Sequence, residues 1–223
     1  MSKRRVTFSK TGMGKYISHL DLLRCFTRAI QRSGLPVVYS QGFNPHQKMT
    51  FALPLPIGVT SECETVDIQF EDSAADDEIM EKLNCNLPMD IKVLSVGEPV
   101  HKAADIVAAE YRMEAAAQDM VSEKKIQAFF GQAEVLVSKR TKKKGEKQIN
   151  LLDFVRSWEI TGLAEQGFCL RVILDAGGER NLKPDSLAQA LTAYVKPLCI
   201  EDWDIHRVRI YCSNGEGTRE IFG

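Results

Sequence analysis

The 223-residue sequence has no CxxC pair: Cys25, Cys63, Cys85, Cys169, Cys199 and Cys212 are scattered along it. Zinc and iron–sulfur sites need closely spaced thiolates or imidazoles, so the spacing points to no metal and excludes an iron–sulfur catalytic core. Isolated cysteines in a reducing compartment act as small apolar residues. No apolar run approaches the roughly 18 residues that cross a bilayer. The opening MSKRRVTFSK carries charge without the apolar core of a secretory signal. A cytoplasmic protein without membrane association is the expectation. The phosphate-binding loop GxxxxGK[ST] is also missing, and no cofactor is expected.

Acid is nearly missing from the first fifty residues, where 9 Lys/Arg face only Asp21. The compensation comes next: residues 51–110 hold 13 acids against 3 Lys/Arg. The whole chain nets −1. Segregation of this kind either makes separate basic and acidic surfaces or lets the two regions neutralise each other. Otherwise the composition, 44% hydrophobic and 26% charged, is that of a globular protein. A chain of this length buries roughly 70% of its unfolded surface and needs no metal or disulfide to fold.

Periodicity gives the elements. Val6 and Phe8 alternate with polar residues as in a half-buried strand. Gly12 and Gly14 mark a loop, and Ser18 is placed to cap a helix over 19–33 that stops at Gly34. Leu22, Leu23, Phe26, Ala29 and Ile30 form its apolar face; Arg24, Arg28 and Arg32 form the opposite one. From Tyr39 to Gly58, glycines and prolines break the chain into loop and short extended pieces. A strand around Val66–Phe70, an acidic helix over 76–83 and a slipping strand from Ile91 to Val96 follow. This order is a ferredoxin-like βαββαβ unit.

A second unit of similar order starts with a strand at Tyr111–Ala115 and a helix over 123–130. A hairpin follows with the run Lys142–Lys144 at its tip, then a short amphipathic piece at Leu152–Trp158. Phe168, Leu170, Val172 and Leu174 alternate strictly, Pro184 opens a helix, and Ile205–Ile210 closes as a strand before a polar tail expected to fray. The predicted fold is α+β, two ferredoxin-like units in tandem over residues 1–103 and 104–223.

Several stretches together look like a family signature. They are Phe8-Ser9-Lys10, Tyr16-Ile17-Ser18-His19-Leu20-Asp21-Leu22 with Arg24, Arg28 and Ala29, and Leu35-Pro36. Tyr39-Ser40-Gln41-Gly42-Phe43-Asn44-Pro45-His46, Phe51-Ala52, Pro54-Leu55-Pro56-Ile57-Gly58 and Ser61-Glu62-Cys63-Glu64 complete them. The chain resembles the radical SAM-linked domain family, whose function is uncharacterised. The resemblance is dense over about residues 4–70, with echoes at Ile149-Asn150-Leu151 and Asn181-Leu182-Lys183-Pro184-Asp185. It implies a separate B12-type radical SAM protein as partner and work linked to RNA or the ribosome.

The candidate RNA-binding residues are Lys10, Lys15, His19, Arg24, Arg28, Arg32, Phe43, His46 and Lys48. Lys10 and Lys15 with the glycine loop and the helix N-terminus suit a phosphate cradle, or Ser18 and Asp21 simply cap the helix. Arginines four apart repel unless an anion relieves them, and the arginine fork pairs phosphate oxygens. In the loop Gly42–Lys48 an aromatic beside cations suits single-stranded RNA, unless Phe43 plugs the core. Three functions follow: an accessory RNA-binding module, a metal-independent endoribonuclease using His19 and His46 as acid and base, or a protein adaptor for the radical SAM enzyme.

Overall fold

Strand β1, Ser2–Lys10, buries Val6 and Phe8 on one face as their alternation predicts. The structure, a computed structural model, describes residues 1–71, 74–141, 145–195, 200–213 and 219–223. Helix α1, His19–Ser33, starts and stops where the sequence says. Ser18 Oγ accepts from the Asp21 amide at 3.2 Å, and Gly34 ends the helix at φ 67°, a left-handed conformation that costs glycine little. Leu22, Phe26, Ala29 and Ile30 are buried, whereas Leu23, expected among them, is exposed. It lies at the flank of the apolar arc, about 100° from Leu22.

The chain divides into two compact units, Met1–Ile106 with Cys212–Gly223, and Val107–Tyr211. In the first, α1 is followed by β2 (Met49–Phe51), β3 (Val59–Phe70), α2 (Asp76–Asn84) and β4 (Ile91–Gly97). Antiparallel pairing places β4 and β3 on either side of β1, and β2 on the far side of β3. The slip in period expected near Val93–Val96 is a register shift between Thr7 and Phe8 on β1. Phe8, Phe26 and Phe51 bring α1 onto this sheet, with ring centroids 5.0, 5.5 and 6.1 Å apart.

The second unit contains β5 (Ile106–Ala117), α3 (Glu123–Phe130), β6 (Leu136–Thr141), β7 (Gly145–Asn150), β8 (Val155–Ala164), β9 (Gly167–Asp175), α4 (Pro184–Val195) and β10 (Ile200–Ser213). Its sheet runs β10-β5-β9-β8, and β6 and β7 form a separate hairpin. The Lys142–Lys144 tip lies outside the described residues. The short amphipathic piece expected at Leu152–Trp158 is a 3-10 turn, Leu151–Phe154, leading into β8. Asn150 caps that turn by accepting from the Leu152 amide. Trp158 and Ile160 then alternate opposite Val172 and Leu170.

Of the tail expected to fray, residues 214–218 lie outside the described residues. Strand β11, Arg219–Ile221, is ordered, and Phe222 is buried under the Arg5 guanidinium, 4.3 Å from its ring. Among the described residues the fold is mixed α/β, with four α-helices and largely antiparallel sheets.

Candidate nucleic-acid interface

Three of the cations of β1, Lys3, Arg4 and Arg5, pair with the chain's own carboxylates. Lys3 and Arg5 both reach Asp67, at 2.8 and 2.7 Å, and Arg5 adds a second bond to it at 3.0 Å. Arg4 pairs with Asp76 at 2.8 Å and Glu98 at 3.2 Å. Burial pushes the Asp67 carboxyl up, but the hydrogen bonds from Arg5 and Lys3 outweigh it and hold it below the usual carboxylate range. Part of the charge segregation is therefore neutralised internally.

Lys10 corrects the expectation of an RNA contact. Only 1% of it is exposed, and its Nζ donates to the carbonyls of Ile17 at 2.8 Å and Lys15 at 3.4 Å. It pins the loop before α1. The cradle around it is closed by structure too. A Cβ on Gly12 would sit 2.7 Å from Asp90 Oδ1 and one on Gly14 2.9 Å from Asp90 Cβ, so both glycines serve close approach to Asp90. The Thr11 amide donates to the Asp90 carbonyl at 2.9 Å. At the helix end Ser18 Oγ donates to Asp21 Oδ2 at 2.7 Å. That bond first, then the one from Arg24, holds the Asp21 carboxyl below its ordinary value. The chain's own Asp21 carboxylate thus stands at the helix N-terminus where an anion was expected. Lys15 lies 5.5 Å over the Tyr16 ring.

The stripe on α1 splits into three situations. Arg24 pairs with Asp21 at 2.8 Å in the open, with both side chains more than half exposed, and exposed pairs yield readily to a competing anion. Arg32 donates to the Asn86 carbonyl. Arg28 is exposed and forms no ion pair among the described residues.

The loop after α1 is closed at its base by a Tyr39–Gln47 bridge. The Ser40 amide donates to the His46 carbonyl at 2.8 Å, the His46 amide donates to Ser40 Oγ at 3.1 Å, and the His46 ring Nδ1 lies 2.9 Å from that hydroxyl. Phe43 at the tip is fully exposed at 105%, so it plugs no core. Tyr39 is 42% exposed, and Lys48 is exposed with no ion pair among the described residues. A cavity of about 320 Å³ opens beside the loop, lined by His46, Lys48, Lys3, Thr50, Asp67 and Gln69 among others.

His19 and His46 keep different company. The His19 ring meets Phe51 edge-on at 5.3 Å, while His46 bonds Ser40; among the described residues no hydrogen bond or ring contact joins the two. Sequence reasoning passed over Gln47, which is 96% buried and ties the loop to α1, and Lys3, which reaches the cavity. A polar residue between the exposed His46 and Lys48 carries no periodic mark. Asp67 carried none either: it alternates with the core residues Val66 and Ile68, on the face of β3 that also holds Thr65 and Gln69.

Among solved structures, a chain of a Cbf5-Nop10-Gar1 complex is similar at 11% identity with a TM-score of 0.50, over 93% of this chain and 48% of that one. A chain of the archaeal box H/ACA sRNP Nop10-Cbf5 complex is similar at 12% identity with a TM-score of 0.47, over 92% and 46%. This chain thus spans about half the length of each. At such identity the likeness is one of fold alone. No curated protein matches the chain. Residues 3–184 match the model of a family described as an uncharacterised protein conserved in bacteria (DUF2344), and the chain belongs to that family.

Proposed function

We propose that this protein is a cytoplasmic accessory module that holds single-stranded RNA on its first unit for a separate B12-type radical SAM protein. One observation carries the reading: Arg28 and Lys48, exposed and without ion pairs among the described residues, stand on two elements joined by the Gln47–Thr27 hydrogen bond of 3.3 Å. Between them stands the exposed ring of Phe43, in sequence and on the same loop as Lys48. Phosphate meets the cations and Arg24 once it leaves Asp21; a base stacks on Phe43. The cavity beside His46 offers the Thr50 hydroxyl and the Gln69 amide to a base edge. No catalytic set is part of this reading.

Both units are read as ferredoxin-like. The support is their shared strand order, β4-β1-β3-β2 in the first and β10-β5-β9-β8 in the second, with a helix after the first and third strand of each.

The test is a salt titration of a short fluorescent single-stranded RNA against the chain and against the double variant Arg24→Glu/Arg28→Glu. Affinity falls with log salt by about 0.7 per phosphate contacted, and the double variant flattens that slope while melting like the wild type. Unchanged affinity in the variant overturns the reading.

A second reading has its own support. Tyr16, Leu20, Leu23 and Ile57 are exposed near the arginine stripe, and the Gly58 amide donates to the Lys15 carbonyl at 2.8 Å, drawing Ile57 toward Tyr16. An apolar surface edged by arginines suits an acidic protein face. If RNA fails to bind while the radical SAM protein does, and the double variant loses it, this adaptor reading replaces the first.

A further inference from the structure

The second unit has a groove that the RNA reading leaves unused. Between the β6–β7 hairpin and the helices lies a cavity of about 610 Å³, within the roughly 300–1,000 Å³ of ordinary binding clefts. It continues into a smaller one of about 260 Å³ through shared walls at Val137, Ser138 and Ser186. One wall is strand β6; the other is a face of α4 formed by Ser186, Gln189, Ala190 and Ala193, spaced i, i+3, i+4 and i+7.

Strand β6 pairs only with β7 among the described residues. The Leu151 amide donates to the Val135 carbonyl at 2.8 Å, which makes that a hydrogen-bonded pair. Such pairs alternate along an antiparallel ladder. With Val137 opposite Ile149 and Ser138 opposite Gln148, Val137 is bonded to β7, while Leu136 and Ser138 turn their N–H and C=O groups away from it. Those groups find no partner among the described residues. An open strand edge facing a groove is a template for another strand.

The chemistry of the walls selects the occupant. Among the described residues the larger cavity is lined by Phe129, Val135, Leu136, Tyr194 and small or neutral polar side chains, none of them charged. A phosphate backbone meets no cation among the described residues of the larger cavity, whereas a neutral peptide backbone matches the free edge. Ala190 and Ala193 leave room for apolar side chains on every second residue. The smaller cavity ends at the exposed Lys183, the one charged residue among the described wall residues, which complements a carboxylate.

We infer that this groove binds an extended, alternately apolar peptide of a partner protein by adding it as a strand to β6, with a peptide carboxylate toward Lys183. Main-chain bonds to Leu136 and Ser138 supply affinity, and the α4 face selects side chains.

The probe is a displayed library of random decapeptides selected on the full chain, with enriched peptides resynthesised for affinity measurement. Enriched sequences alternate apolar residues and carry an acid at one end. Ala193→Trp, which fills the groove from an exposed position, weakens them about tenfold or more, as does N-methylation of alternate peptide amides, given about 1 kcal/mol for each main-chain bond lost. Lys183→Glu weakens them less. The N-methyl arm leaves the protein unaltered, so it decides the matter even if Ala193→Trp folds poorly. Failure to enrich any peptide, equal binding of the N-methylated forms, or a concentration-dependent dimer abolished by Ala193→Trp overturns the inference, the last by making a second copy the occupant. RNA affinity of the first unit is unaffected by these changes, so the two readings fail separately.

Discussion

The side-chain amide of Gln47 donates to the carbonyl of Thr27 at 3.3 Å, fastening the exposed loop to the middle of α1 through one buried residue. Its nitrogen also reaches Tyr39 Oη at 3.4 Å, but its Oε1 is buried and accepts nothing among the described residues. Both bonds are long, and an ordinary one contributes about 0.5–1.5 kcal/mol, while a buried orphan acceptor costs about 1–3 kcal/mol. Gln47→Met keeps the volume and removes both. Thermal unfolding should show the variant within about 1 kcal/mol of wild type, or above it. RNA affinity should fall nonetheless, because the loop loses its tie to the helix. A stability loss of about 3 kcal/mol would mean that Oε1 is satisfied.

Arg5 and Asp67 face each other across β1 and β3, both nearly buried. Breaking such a pair from one side leaves an uncompensated charge and costs about 3–5 kcal/mol. Arg5 keeps the His101 carbonyl at 2.8 Å as an acceptor, so Asp67→Asn should lie near the lower end, about 3 kcal/mol, in urea unfolding. The sign with pH follows from the lowered carboxyl. Its stabilisation is complete above the unfolded value of about 3.9 and is lost as pH falls through the lower folded value. Asp67→Asn should therefore flatten the acid limb of the stability curve and leave the neutral region parallel to wild type.

Helix α1 was legible to the residue because three local signals agreed: the Ser18 cap, the apolar arc and Gly34. The strand and helix order of the first unit, β1-α1-β2-β3-α2-β4, was legible in outline from alternation, helical spacing and the glycines and prolines between. What the sequence hid were facts of pairing across distance. Lys10 reads as one cation among nine, and only the fold shows that its ammonium reaches the Ile17 carbonyl. Gly12 and Gly14 resemble a phosphate loop until Asp90, far along the chain, fills the space beside them. Phe43 was the converse: hydrophobicity alone suggests burial, but a loop closed at Tyr39 and Gln47 leaves its tip outside. The unpaired edge of β6 follows from hydrogen-bond parity, which no composition encodes.

Lys10 gives a direct check on that distinction. Lys10→Met removes the donor from the Ile17 and Lys15 carbonyls, which should cost about 1–3 kcal/mol in thermal or urea unfolding. RNA affinity, measured where the variant remains folded, should stay at the wild-type level. Arg28→Ala should do the reverse, weakening RNA with an unchanged melt. A Lys10→Met protein of normal stability that binds RNA an order of magnitude less tightly would return Lys10 to the interface.

Phe43 separates stacking from charge. Its ring is fully exposed, so Phe43→Ala should leave the thermal midpoint untouched. Loss of one base–aromatic stack is worth about 1–3 kcal/mol, roughly a 5- to 150-fold weaker RNA complex. Because no phosphate contact is removed, the slope of log affinity against log salt should stay the same. Lys48→Ala, by contrast, should reduce that slope by about 0.7 for the one phosphate it gives up. Titrations of the two variants across salt, run beside wild type, distinguish a base platform from a patch of charge: a Phe43→Ala protein with wild-type affinity removes the ring from the interface and leaves α1 and Lys48 to hold the backbone alone.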